Sequence, residues 1–182
     1  MTSETLLITG SPGVGKTTLL MKIVRIVKGK GYSVGGMISR EVRENGVRVG
    51  FEILDLTSGK HGWLANMNQK VGPQVGKYRV NLVDLENIGA QAIIYAVENS
   101  DVVAIDEIGP MELFSEKFKN ATRKAMESTK PVMAVVHWKA QDKLINDAKN
   151  MKGSETYTVT PENRDELSNI IADETIRALE RD

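Results

Sequence analysis

Residues Gly10-Ser11-Pro12-Gly13-Val14-Gly15-Lys16-Thr17 fit the pattern G-x-x-x-x-G-K-[ST]. No other feature limits what this chain can fold into as strongly. The apolar run Leu6-Leu7-Ile8 precedes the octapeptide, and a helix-like stretch over 18–28 follows it. Strand, glycine loop and helix form the context in which backbone N–H groups turn inward and cradle phosphate oxygens. The helix adds the positive end of its dipole. Gly13 and Gly15 allow close approach of the backbone, often at positive φ. The spacing predicts that Lys16 reaches the β- and γ-phosphates and that the Thr17 hydroxyl ligates Mg²⁺. The predicted nucleotide contacts are Gly10, Ser11, Pro12, Gly13, Val14, Gly15, Lys16, Thr17 and Thr18. A chance glycine turn before a helix is the competing reading, and the flanking elements weigh against it.

A second site follows Asp101-Val102-Val103-Ala104-Ile105-Asp106-Glu107, an apolar run tipped by two acids. Unbroken apolar character predicts a strand buried on both faces of a parallel sheet. Its carboxyl end is where open α/β sheets bind ligands. Side chains alternate along a strand, so Asp106 and Glu107 are expected to diverge. Asp106 is the expected partner of the Mg²⁺ shell, and Glu107 is then free to take a proton from an attacking water. That second acid points to hydrolysis.

Composition bounds the rest. A chain of 182 residues with 41% apolar content suffices for one core, so 1–182 is expected to form a single domain. Lys+Arg and Asp+Glu both number 24, which leaves no global basic field for nucleic acid or anionic membrane. There is no cysteine, which agrees with a cytoplasmic location, and Met1-Thr2-Ser3-Glu4 leaves no room for a signal peptide before the first strand. No apolar stretch approaches the roughly 20 residues of a membrane span. His61 and His137 lack a zinc-site spacing.

Strands and helices alternate, which predicts a parallel sheet covered on both faces. The expected strands are 5–9, 33–39, the acid-tipped run ending at Glu107, 132–136 and 155–159. Residues 41–53 read as an antiparallel hairpin about the Asn45-Gly46 turn, with Val47, Val49, Phe51 and Ile53 alternating. Residues 57–77 read as loop with at most short strands. Helices are expected at 17–28, 82–99 (with Gly89 against it), 115–128 capped by Ser115, 140–149, and from Pro161, at the first helical position, to about Ala178.

The chain resembles the THEP1-like nucleoside-triphosphatases over nearly its whole length. The resemblance rests on the loop from Thr9 to Thr18, on Gly35-Gly36-Met37, and on Val75-Gly76-Lys77-Tyr78. It also rests on Asp106-Glu107-Ile108-Gly109, Met111-Glu112-Leu113-Phe114 and Pro161-Glu162-Asn163-Arg164, which are more specific than the loop. It implies a three-layer α/β P-loop NTPase fold with a RecA-like core, a mainly parallel sheet and an antiparallel hairpin insertion. It also implies hydrolysis of nucleoside triphosphates to diphosphate and phosphate with broad base tolerance, and a partner that is poorly defined. Two positions depart from the family pattern: Pro110, where lysine is frequent, and His61-Gly62-Trp63, where arginine and proline are usual. Either departure bears on rate or substrate preference.

Other residues carry two readings each. His137 is placed to sense a γ-phosphate or to cap its loop; Lys139 is placed to supply charge or to be a solvated lysine. Arg164 is placed near base or phosphates, or to brace the last helix. Trp63 and Tyr78 offer stacking faces for a base, with packing the plainer role. Met111, Leu113 and Phe114 read as packing that orients Glu107. Two further function classes stay open beside Mg²⁺-dependent hydrolysis. One is a nucleotide or small-molecule kinase; the other is a nucleotide-gated interaction module whose protein partner the sequence does not name.

Overall fold

The structure is a computed structural model that describes residues 4–181. The parallel strands are β1 (Thr5–Thr9), β2 (Val34–Glu44), β7 (Val102–Ile108), β8 (Val132–Val136) and β9 (Ser154–Thr158). Four more strands, β3 (Val47–Asp55), β4 (His61–Asn66), β5 (Gln74–Val75) and β6 (Tyr78–Val80), add on antiparallel beyond β2. All nine join one sheet in the order β5-β6-β4-β3-β2-β7-β8-β1-β9.

Strand alternation sorts the core into two halves. Leu6, Ile8, Val102, Ala104, Met133 and Val135 face α1 (Lys16–Gly29) and α6 (Arg164–Glu180). Their neighbours Leu7, Val103, Ile105 and Ala134 point the other way. There they meet α3 (Gln91–Asn99), α4 (Glu116–Glu127) and α5 (Lys143–Asn150). Strands apolar on both faces require this double cover. The three-layer α/β arrangement is the one expected.

The expected hairpin is present, but it is part of something larger. β2 runs without a break from Val34 into the hairpin, and β3 goes on to pair with β4. Residues 57–77 therefore hold two strands as well as loops. Leu64 and Ala65 in β4 are buried, which gives that strand a core to join despite its polar sequence neighbours.

The helix over 82–99 forms with a wide middle. It opens as α2 (Leu82–Asp84), passes through a π-turn at Leu85–Ala90 and continues as α3. Gly89 sits in that turn, where a Cβ would lie 2.6 Å from the Met37 sulfur. The glycine that weakened the helix signal is what lets the helix approach β2 so closely.

Ser115 caps α4 as expected, its Oγ accepting from Phe118 N at 3.1 Å. Two helix starts differ. α5 begins at Lys143, because Asp142 supplies the cap by accepting from Leu144 N at 2.9 Å. α6 begins at Arg164, with Pro161 in the turn before it. Asn163 Oδ1 accepts from Thr160 N at 2.8 Å, and Thr160 Oγ1 accepts from Asn163 N at 3.3 Å. That reciprocal pair closes a separate turn and delays the helix.

Candidate active site

The loop between β1 and α1 places its glycines in left-handed backbone, Gly13 at φ 76° and Gly15 at φ 103°. A side chain at either position would be strained. No side chain caps α1, so the first-turn N–H groups stay available to an anion. Lys16 Nζ donates to the Gly10 carbonyl at 2.9 Å and the Ser11 carbonyl at 3.0 Å. The cation lies folded over its own loop.

Asp106, at the carboxyl end of β7, is 2% exposed. The Thr17 hydroxyl, in the first turn of α1, lies close enough to this carboxylate at the end of β7 to lower its pKa. Its Oδ2 is buried without a hydrogen-bond partner among the described residues. Burial raises the Asp106 pKa to about 7; the Thr17 hydroxyl opposes the rise, the Glu107 charge adds to it and Lys16 reduces it. A buried carboxylate oxygen with no partner is costly unless a cation or donor reaches it. The hard oxygens of Thr17 and Asp106 suit Mg²⁺.

Glu107 is half-buried, and burial raises its pKa while His137 and Lys16 pull it back down. The peptide bond between Asp106 and Glu107 is cis, and the ladder to β8 is irregular between Asp106 and Ile108. Gly109 folds against the Glu107 side chain, where a Cβ would lie 2.8 Å from Oε1. Sequence reasoning missed the third acid. Glu112 is fully enclosed, and burial together with the Glu107 charge holds its carboxyl well above the usual range. Its neighbours in Met-Glu-Leu-Phe gave no signal of this. Of the apolar residues there, Met111 and Leu113 pack on the core, whereas Phe114 is 51% exposed and does not.

Loop, acids and hairpin enclose one cavity of about 490 Å³. Pro12, Gly13, Gly15, Lys16, Thr17 and Thr18 form its floor at one end, with Asp106 and Glu107 beside them. Gly10 and Val14 hold the loop from behind: a Cβ on Gly10 would meet the Val159 carbonyl at 2.8 Å, and Val14 is buried in the core. A second cavity of about 310 Å³ lies across the loop, between Gly15, Thr18, Leu19, Lys22, Arg164 and Asp165.

His137 lines the main cavity, and its Nδ1 accepts from Lys139 N at 3.2 Å and Ala140 N at 3.1 Å. It caps its loop and also faces the cavity. Lys139 is exposed and rests 4.5 Å from the centre of the Trp138 ring, outside the cavity lining. Arg164 braces the loop by donating to the Val14 carbonyl at 3.3 Å, and it walls the second cavity. Tyr78 is buried edge-on against Phe51, a packing role. Pro110 lines the site, whereas His61-Gly62-Trp63 lies in β4, with Trp63 N donating to Asp84 Oδ2 at 2.8 Å.

Residues 5–172 match the family model described as NTPase. The nucleoside-triphosphatase THEP1 of Thermofilum pendens is 43% identical over 182 residues, covering 100% of both chains. The chain belongs to the THEP1 nucleoside-triphosphatase family. The THEP1 of Methanosarcina acetivorans is 45% identical, over 94% of this chain and 97% of that protein. Among solved structures, THEP1 from the hyperthermophile Aquifex aeolicus superposes with a TM-score of 0.80 at 34% identity, covering 92% of this chain and 96% of that one. A human cancer-related nucleoside triphosphatase superposes with a TM-score of 0.78 at 32% identity, covering 94% and 96%. This THEP1-family chain is thus an enzyme that hydrolyses nucleoside triphosphates. Among the described residues, no helix is long and apolar enough to cross a membrane.

Proposed function

We propose that the cavity beside the phosphate-binding loop hydrolyses Mg²⁺-bound nucleoside triphosphates with little regard for the base. The observation that carries this is the pairing of Thr17 with a buried Asp106 whose Oδ2 has no partner, next to Lys16 and Glu107. Thr17 and Asp106 would hold Mg²⁺, which supplies charge neutralisation of the phosphates when bound. Lys16 leaves the Gly10 and Ser11 carbonyls and engages the terminal phosphates, stabilising negative charge as it develops.

Glu107 orients a water and takes its proton as the water oxygen bonds to the γ-phosphorus. The bond from that phosphorus to the β-bridging oxygen breaks, and diphosphate and phosphate leave. Burial that raises the Glu107 pKa makes it a better proton acceptor near neutral pH. The nucleoside lies in the second cavity, where the flat Arg164 guanidinium and the Leu19 side chain offer contact to any base, with Thr18, Lys22 and Asp165 as the polar lining. Phosphate release from ATP, GTP, CTP and UTP with Mg²⁺, repeated with EDTA, tests the reading. Comparable rates abolished by EDTA are expected. Turnover that survives EDTA, or that is confined to one base, would count against it.

A further inference from the structure

The main cavity extends well beyond the space a terminal phosphate and its water require. Ile38 of β2 stands in register with Asp106, and the β2–β3 hairpin continues past it to Glu44. At about 3.4 Å per residue, the hairpin rises on the order of 20 Å above the level of Asp106. Phe51 pairs with Glu41, two strands away from β7. It is therefore about 10 Å across and about 10 Å up from Asp106. A phosphate held by Lys16 and Thr17 leaves that end open.

The open end has a built lining. Phe51, Leu64 and Val75 supply an apolar wall, with Arg40, Glu41 and Arg48 at its rim. Arg48 is fixed in place: Nε donates to the Tyr78 hydroxyl at 2.9 Å and Nη1 to Glu41 Oε1 at 2.8 Å. Its guanidinium lies 5.1 Å from the Phe51 ring centre and 5.6 Å from that of Tyr78. Nη2 makes no hydrogen bond among the described residues, so one pre-oriented donor group remains. The three rim charges sum to a single positive charge, too little to favour a triphosphate.

We propose that the hairpin end of the cavity binds a second small molecule at the same time as the nucleotide, a flat, largely apolar compound carrying one negative charge. Its body lies along Phe51, Leu64 and Val75, and its anionic group takes Arg48 Nη2. The inference rests on the proposed function only in placing the nucleotide at the other end and across the loop.

The probe is 8-anilinonaphthalene-1-sulfonate, a flat aromatic monoanion, titrated by fluorescence into the full chain with saturating MgADP. One saturable site that persists in MgADP is expected. Arg48→Gln, which removes the charge-assisted contact, and Val75→Trp, which fills the wall, should each weaken the probe by about tenfold or more. Displacement of the probe by MgADP, or wild-type affinity in both variants, would overturn the proposal. Thermal melts and MgADP affinity report whether each variant is folded. If Arg48→Gln fails to fold, Val75→Trp, on the two-residue strand β5, decides alone. The nucleotide reading fails separately, if Lys16→Ala leaves MgADP affinity unchanged.

Discussion

Lys16 Nζ donates to the Gly10 carbonyl at 2.9 Å, so the cation that the proposed chemistry needs is held in reserve by the loop that carries it. A phosphate must replace that contact and the one to Ser11. Lys16→Ala removes the replacement and should lower turnover by about 10²–10³-fold, as loss of one preorganised charge donor does. Triphosphate affinity should fall with it, while binding of a nucleoside lacking phosphates stays near wild type. Parallel measurements of phosphate release and calorimetric affinity check this; normal hydrolysis in folded Lys16→Ala would remove the loop from the mechanism.

Glu107→Gln separates binding from chemistry. The amide keeps size and hydrogen bonding but cannot take a proton. Turnover should drop by about 10²–10⁴-fold, the usual share of a positioned general base. The loss should lie in kcat, with nucleotide affinity close to wild type, because the interaction develops in the transition state. Transfer of the phosphoryl group to an added acceptor in preference to water would instead favour a kinase.

Glu112 gives a pH signature. Its carboxyl is held well above the usual range in the fold, so the unfolded chain loses this proton first. Stability therefore falls as pH rises through and beyond the ordinary carboxylate range. Glu112→Gln keeps a neutral polar group there and removes the Glu112 share of that decline, leaving the shares of Asp106 and Glu107. Melting curves at pH 5 and pH 8 should show the variant gaining on wild type as pH increases. An equal offset at both values would mean that Glu112 is not protonated in the native state.

Ser115 tests the local architecture that follows the acids. Its Oγ caps α4 and also pairs with Glu86 Oε1 at 3.1 Å. Ser115→Ala should cost about 1 kcal/mol, or roughly 2–4 °C in Tm for a domain of this size. A calorimetric scan that shows no change would mean that water replaces the cap at no cost.

The phosphate-binding loop and the acid-tipped strand were legible because both rest on local rules: a glycine spacing before a helix and an unbroken apolar run. The alternation of Val47, Val49, Phe51 and Ile53 disclosed β3 for the same reason. β4 was not legible, since its burial depends on pairing with β3 and on contact with the π-turn helix, neither of which its own short sequence encodes. Glu112 was hidden by a general truth, that an acid between apolar residues normally points to water. Only the fold of the 109–112 loop over Glu107 encloses it. Arg48 carries no local signal, because what fixes it is the hydroxyl and ring of Tyr78, thirty residues away.

The order of the strands also bears on how the protein behaves when crowded. A sheet with nine strands has two outermost strands, and open edges are where chains zip together into aggregates. One edge is β5, two residues long, too short a template for a neighbouring backbone to register on. The other is β9, a strand of five residues that carries the charge of Glu155, with Lys152 in the turn just before it. The antiparallel extension opens one further stretch: β7 pairs with β2 only from Val34 to Ile38, so β2 beyond Ile38 has a free side, and there Arg40, Glu41, Arg43 and Glu44 set charges against a neighbouring backbone.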